Sequence, residues 1–458
     1  MASERSEFRR RREVGEGNGV KNLPGSKTVL AISLLFAFFQ SFVIQKGTMS
    51  EQKEARLPRL RLDLEYIPIS YQGRRALLIR DPLDIIKEPV LLQGEAVELL
   101  GLIDGRREIQ EIQAGMMRLR NGLFISAESI SRLLDELEKA FILESGQLQH
   151  KRARLVQEYA ALEVRPASHA GRSYPADRRA LEKLLDQILT HSLPPGRTPG
   201  RMRALVAPHI DLQAGKRAYG RIYGLLRETP PPRTVLLLGT GHSLGPEYFS
   251  LTEKDFETPL GLVKTDRESV RCLASRAGRA AEANDFGHRG EHSLEIQLIF
   301  LQHIFGSGFR LIPVLCGSFQ DHLAEAGRAS DIPAVAPMLD SLGELLNKEG
   351  DEVLAVAGVD FSHVGPKFGH DRSAASMMAE TRRHDERLIE ALCRRDVSAF
   401  WLEVRQVKDT YNVCGFSSLA CLLEALPPNW PGGQPIDYDI WREEATRSAV
   451  SFASIAFI

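Results

Sequence analysis

The sequence has little cysteine. Its five cysteines (Cys272, Cys316, Cys393, Cys414 and Cys421) are odd in number, scattered and confined to the C-terminal half of 458 residues. That distribution builds no disulfide framework. It suits a reduced chain expected in the cytoplasm, in which a special cysteine is a ligand or a nucleophile. An excess of one charge is missing too: 59 Lys and Arg stand against 60 Asp and Glu, a formal net charge of -1. This removes the argument for nucleic acid, or an anionic membrane, as the main partner. Internal repeats and low-complexity blocks are absent after Met49. What remains is 43% hydrophobic and 26% charged, ordinary for a globular protein with room for one large domain and a smaller one.

A membrane-spanning helix needs roughly 20 apolar residues. The run Val29 to Ile44, "VLAISLLFAFFQSFVI", has 16 and is interrupted by Ser33, Gln40 and Ser41. A basic cluster, Arg9 to Arg12, precedes it, and no small-x-small cleavage site follows. Three readings of residues 1–48 stay open: a stretch upstream of a true start at Met49, a membrane anchor through 29–44, or a signal peptide.

Residues 57–150 form a first unit. "LLGLIDGRREIQEI" reads as two short helical pieces turned at Asp104-Gly105. "SAESISRLLDELEKAFIL" carries Ile130, Leu134, Leu137 and Phe141 at helical spacing, with Ser126 placed to cap it. Helix, turn, helix, turn, helix is the outline of a small winged-helix-like domain. Acidic residues outnumber basic ones from Leu99 to Ser145, which argues against a phosphate-binding face.

From residue 170 to 458 the pattern changes to short apolar strands alternating with helices. "RALVAP", "TVLLLG", "FRLIPVLCG" and "EVLAVAGVDFSH" are near-continuous apolar runs, and "SAVSFASIAFI" suits a final strand. Such runs predict an α/β domain, a mixed central sheet covered by helices on both faces. Three of the strands run into polar residues: His209 after "ALVAP", His242 after "LLLGTG", and Asp360 and His363 after "LAVAGV". Open α/β sheets build ligand sites at such strand ends. The 33 residues between His209 and His242 amount to one strand-helix-strand unit, which places the two imidazoles on neighbouring strand ends. Gly239 and Gly241 are expected to turn the backbone tightly there. "GTGHSLG" is not a dinucleotide fingerprint, because its third glycine falls at the wrong spacing.

Two further segments join them. "RGEHSLEIQLIFLQHIF" sets His292 at the start of an apolar helix that Ser293 could cap. "TYNVCGFSSL" sets Cys414 just before another helix, whose dipole favours a thiolate suited to a metal or to nucleophilic attack. Cys316 and Cys421 read as core residues.

The ordered motifs "AGRSYPAD", "VAPHID", "LGTGHS", "TPLG", "EHSLEIQLIFLQ", "IPVLCG", "VDFSH" and "VCGFSSL" resemble those of the Memo family, which in bacteria and archaea includes protein B of the AmmeMemoRadiSam system. The resemblance implies a fold like that of class III extradiol dioxygenases. It implies metal ligation by His209, His242 and Cys414, an acid-base role for His363 with Asp360 beside it, and His292 in the same pocket. Fe(II) or copper is the implied metal, with zinc also suited to the donors. Redox or oxygen-dependent chemistry on a small molecule or peptide would follow, beside a radical SAM partner. Pro-His-Ile-Asp stands where Pro-His-Ala-Gly is common, so Asp211 adds a carboxylate, and Gly-His-Ser replaces Ser-His-His. Residues 57–150 are similar to PqqD-like domains, which bind leader peptides. Two other readings remain: a non-catalytic protein that recognises a peptide or metabolite, and a Cys414-His hydrolase without metal.

Overall fold

The computed structural model describes residues 30–32, 57–191, 200–281 and 284–458. Of the apolar run Val29 to Ile44, only Leu30–Ile32 is described, as a strand parallel to Val90–Gln93. The rest of that run, Met49 and residues 192–199 lie outside the described residues. No helix among the described residues is long and apolar enough to cross a membrane.

The larger part of the chain is built on a mixed sheet of eleven strands among the described residues. At its centre four parallel strands lie in the order Ala204–Ala207, Val353–Gly358, Thr234–Thr240, Arg310–Cys316. They are buried along almost their whole length because both faces are covered. Along Thr234–Thr240 successive side chains enter opposite cores. Val235 and Leu237 pack with the helices Arg178–Leu189, Lys216–Leu226 and His292–Phe305. Leu236 and Leu238 pack with Ala336–Glu349 and Phe416–Ala425. Ser448–Phe457 closes one side antiparallel to Ala204–Ala207, and Gly433–Glu443 pairs with it in turn.

The strand order corrects the expectation that His209 and His242 end neighbouring strands. Val353–Gly358 lies between their strands, parallel to both, so the loop carrying Asp360 separates the two histidines. One strand-helix-strand spacing says nothing about a later strand inserted in the gap. Gly241 opens the expected turn, its carbonyl accepting from Leu244 N–H at 3.2 Å, although neither Gly239 nor Gly241 has a positive φ. Gly239 is demanded by proximity, since a Cβ there would lie 2.4 Å from Ser293 Oγ. At Gly358 a Cβ would lie 2.4 Å from the Ser293 carbonyl. Two central strands thus bring their bare backbones against the first turn of the helix that begins at His292.

The N-terminal unit holds a hairpin, Glu65–Tyr71 and Arg74–Arg80, turned by Gln72 and Gly73, both with positive φ. Val90–Gln93 extends it, and the helices Glu95–Leu100, Ile109–Leu119 and Ala127–Lys139 cover it around one apolar core. Ser126 caps the last of these by accepting from Ser129 N–H. The hairpin was not legible in a pattern read as helices and turns alone. Gly146–Ala160 is a helix that runs across residue 150. Its Leu148, Leu155 and Tyr159 join Ile85 and Phe286 in a small cluster that fixes the two parts together.

Substituting Gly358→Ala should destabilise the fold by about 1–3 kcal/mol, the range for overpacking a tight core contact. Chemical denaturation checks it, and a variant as stable as the parent would contradict the close-approach argument.

Candidate functional site

The loops after the central strands converge on the first turn of the helix His292–Phe305. Glu291 is that helix's N-cap, accepting from Ser293 N–H, a correction to the expected cap at Ser293. Ser293 instead turns its hydroxyl to the Thr240 carbonyl. A carboxylate accepts more bonds than a hydroxyl can offer, and Glu291 uses that capacity. It accepts from the backbone N–H of His242 at 3.1 Å and lies 3.1 Å from His242 Nδ1 and 3.2 Å from His292 Nδ1.

His209 is anchored separately: its Nδ1 donates to the Gly358 carbonyl at 3.0 Å. All three Nδ1 atoms are therefore engaged, and Nε2 is the ring nitrogen that remains to each, turned to the Cys414 thiol in His209 and His242. One ring nitrogen from each of His209, His242 and His292 lies within 4.8 Å of the rest. Cys414 Sγ stands 3.3 Å from His209 Nε2, 3.7 Å from His242 Nε2 and 3.6 Å from Thr240 Oγ1. Imidazoles held through Nδ1, with Nε2 directed at a thiol that can itself ligate, are the donors a metal ion takes, so the residues present fit one.

Electrostatics differ from ring to ring. Burial, aided by the neighbouring His292 and His242, holds His209 well below the usual histidine range. For His242 burial acts in the same sense, but the Glu291 charge and the bonds to Cys414 and Glu291 outweigh it and hold the ring well above that range. Burial would raise Glu291; the charge and hydrogen bond of His242 and the bond from His292 keep it well below the usual carboxylate range instead. Asp360 is lifted by burial to about 7, against the backbone N–H groups of His209 and Ile210 that it accepts.

These groups line a cavity of about 1020 Å³ that also contains His363 and Asp211. His363 donates from Nδ1 to the Phe361 carbonyl at 3.0 Å and packs edge-on to Phe368. Burial pushes it down to about 4. Asp211 is exposed and spends one oxygen on the backbone N–H groups of Gln213 and Ala214. Cys316 and Cys421 are buried in the core. His209, His242, His292, Asp360 and His363 thus line this one cavity, while Cys414 does not line it and reaches the site through its contacts with the His209 and His242 rings. The opposite wall was not foreseen: Leu62 to Glu65 and Arg80 to Pro82 of the N-terminal unit line the same cavity.

A family model described as Memo-like protein matches residues 165–456. A MEMO1 family protein of Aquifex aeolicus is 27% identical over 83% of this chain and 95% of its own length. That coverage is too large to be confined to residues 165–456, so this relative also aligns with part of the N-terminal unit. A MEMO1 family protein of Ignicoccus hospitalis is 33% identical over 51% of this chain and 81% of its own. One of Methanopyrus kandleri is 30% identical over 56% and 84%. A solved structure of an uncharacterized protein from Escherichia coli K12 aligns over its whole length and 56% of this chain at 12% identity. Its TM-score of 0.31 is too low to carry an argument.

One pH dependence follows from a ring beside the site. His288 is fully buried, donates from Nε2 to the Ser250 carbonyl, and is pushed by burial to about 4. A histidine depressed in the folded state stays neutral there while the unfolded chain takes up the proton. Stability should thus be complete above about pH 6.5 and decline as the pH falls towards 4, by up to roughly 3 kcal/mol from this group. Urea denaturation across that window, on the parent and His288→Gln, tests it. Equal slopes in the two proteins would rule the group out.

Proposed function

The chain belongs to the Memo-like family, and on that premise we propose that it is a metal-binding protein whose ion is held by His209, His242 and Cys414. The supporting observation is the convergence of Nε2 atoms whose Nδ1 partners are all satisfied, with a thiol beside two of them. Iron or copper suits a mixed imidazole and thiolate set, and zinc fits the same donors. Bound there, such an ion would supply Lewis acidity or a redox couple for oxygen-dependent chemistry on a small molecule or a peptide.

The chain's own residues would do the rest. Glu291 fixes the rings of His242 and His292 and enriches them as donors through Nδ1, the arrangement that tunes bound metals. His363, neutral at ordinary pH and donating from Nδ1, lines the cavity with Nε2 unprotonated and would accept a proton from the ligand. Asp360 orients the His209 backbone through its N–H at 3.1 Å. His292 would face the bound ligand, or replace Cys414 as third donor. The wall from the N-terminal unit restricts what enters.

That wall favours one other reading, a protein that recognises a peptide or metabolite without reacting with it, its N-terminal unit recruiting a radical SAM partner. Metal analysis separates the two. Protein purified anaerobically without an affinity tag should carry near-stoichiometric iron or copper, lost in His209→Ala. Absence of metal, with no uptake of Fe(II), Cu(I) or Zn, would favour recognition. Glu291→Gln should weaken metal binding by about 10–100-fold, the usual cost of losing an orienting partner. Loading with Co(II) should give a sulfur charge-transfer band that disappears in Cys414→Ser and persists in His292→Ala; Co(II) binding without that band, kept in Cys414→Ser and lost in His292→Ala, would make His292 the third ligand.

A further inference from the structure

The loop of the N-terminal unit from Asp81 to Ile86 is more tightly built than a simple connection requires. Asp81 accepts from the backbone N–H groups of Leu83 and Ile86, each at 2.9 Å, and from the buried Arg61 guanidinium. Asp84 adopts a positive φ of 55°, uncommon for a residue other than glycine and retained only where surroundings hold it. The loop lies against Gly290, where a Cβ would meet the Pro82 carbonyl at 3.3 Å. Gly290 precedes Glu291 and His292, so the loop is fixed to the backbone that carries the site.

Two consecutive residues of this loop hold two arginines of the larger part. The Leu83 carbonyl accepts from Arg289 Nη1 at 2.8 Å, and Asp84 accepts from Arg172 Nη2 at 3.1 Å. Both arginines line the histidine cavity. Arg289 is half-buried, is steadied over the Phe286 ring, and has no carboxylate within ion-pair distance among the described residues. Asp84 divides its charge between Arg172 and Lys87. Around the loop four cations, Arg61, Lys87, Arg152 and Arg172, share three carboxylates, Asp63, Asp81 and Asp84, and among the described residues Arg289 has only the Leu83 carbonyl and the Phe286 ring. Glu65 and Arg80 are register partners on the hairpin, and Lys367 is paired with Glu443. Asp211 and Asp360 belong to the strand-end loops of the same cavity and do not pair with either arginine.

We propose that Arg172 and Arg289, aimed by Asp84 and Leu83, form an anion-binding subsite at the mouth of the histidine cavity, taking a carboxylate or phosphate group of the ligand. A guanidinium presents a planar fork of donors that matches either group, and one already held by a carbonyl and a ring gives up little freedom on binding. The ligand is thus an acid whose anionic group is gripped between the two parts of the chain while its remainder extends toward the histidines. This rests on the histidine cavity being the functional site, but it does not need a metal there.

The test uses the full-length, metal-free protein and two probes, inorganic phosphate and benzoate, followed by equilibrium dialysis. Saturable binding of either is expected, weakened by about tenfold or more in Arg289→Gln and in Arg172→Gln, and less so in Arg289→Lys, which keeps the charge without the fork. Phosphate alone would identify a phosphorylated ligand, and benzoate alone a carboxylic acid. Circular dichroism confirms that each variant is folded. Absence of saturable binding of both probes, or binding that the two glutamine variants leave unchanged, would overturn the proposal. Metal content measured on the same preparations keeps that result separate from failure of the metal-site reading.

Discussion

One buried carboxylate organises the site. Glu291 is 4% exposed and would not remain charged there without partners. It meets that requirement by capping a helix, fixing the backbone of His242 and taking the Nδ1 atoms of two imidazoles. Each partner is thereby oriented, and the charge is satisfied only while all of them stay in place. Removing it would leave two rings without direction and a helix without its cap.

The sheet supplies the frame for that arrangement. Parallel strands bring their C-terminal ends to one edge, and bare backbone at Gly239 and Gly358 lets the helix beginning at His292 lie directly on them. The Gly358 carbonyl then serves a second purpose as acceptor for His209 Nδ1. A side chain at either glycine would separate the elements whose contact defines the distances between the rings. Arg165, buried against Glu295 one turn further along the helix, also donates to the Glu291 carbonyl and so fixes the start of the same helix.

Much of this was legible in the sequence because the signals are local. Apolar runs ending in His209, His242 and Asp360 mark strands and their site-bearing ends, and the Cys-Gly step marks the helix start at Cys414. What was not legible depends on contacts distant along the chain. The insertion of Val353–Gly358 between the two histidine strands has no local signature. The choice of Glu291 over Ser293 as cap had no local signal, since serine is a preferred N-cap and glutamate is not. It is decided by how many donors surround that position in space. The wall formed by the N-terminal unit joins residues 206 and 88 positions apart, Arg289 with Leu83 and Arg172 with Asp84, and no periodicity encodes it.

The central claim is that these rings are held ready for a metal ion before one arrives. Anomalous diffraction from crystals grown anaerobically with Fe(II), recorded on both sides of the iron edge, addresses it most directly. The account predicts one strong peak within bonding distance of His209 Nε2 and His242 Nε2, with both rings still bonded through Nδ1 to Gly358 and Glu291. A peak elsewhere, no peak, or rings that must turn away from those partners to bind would contradict it.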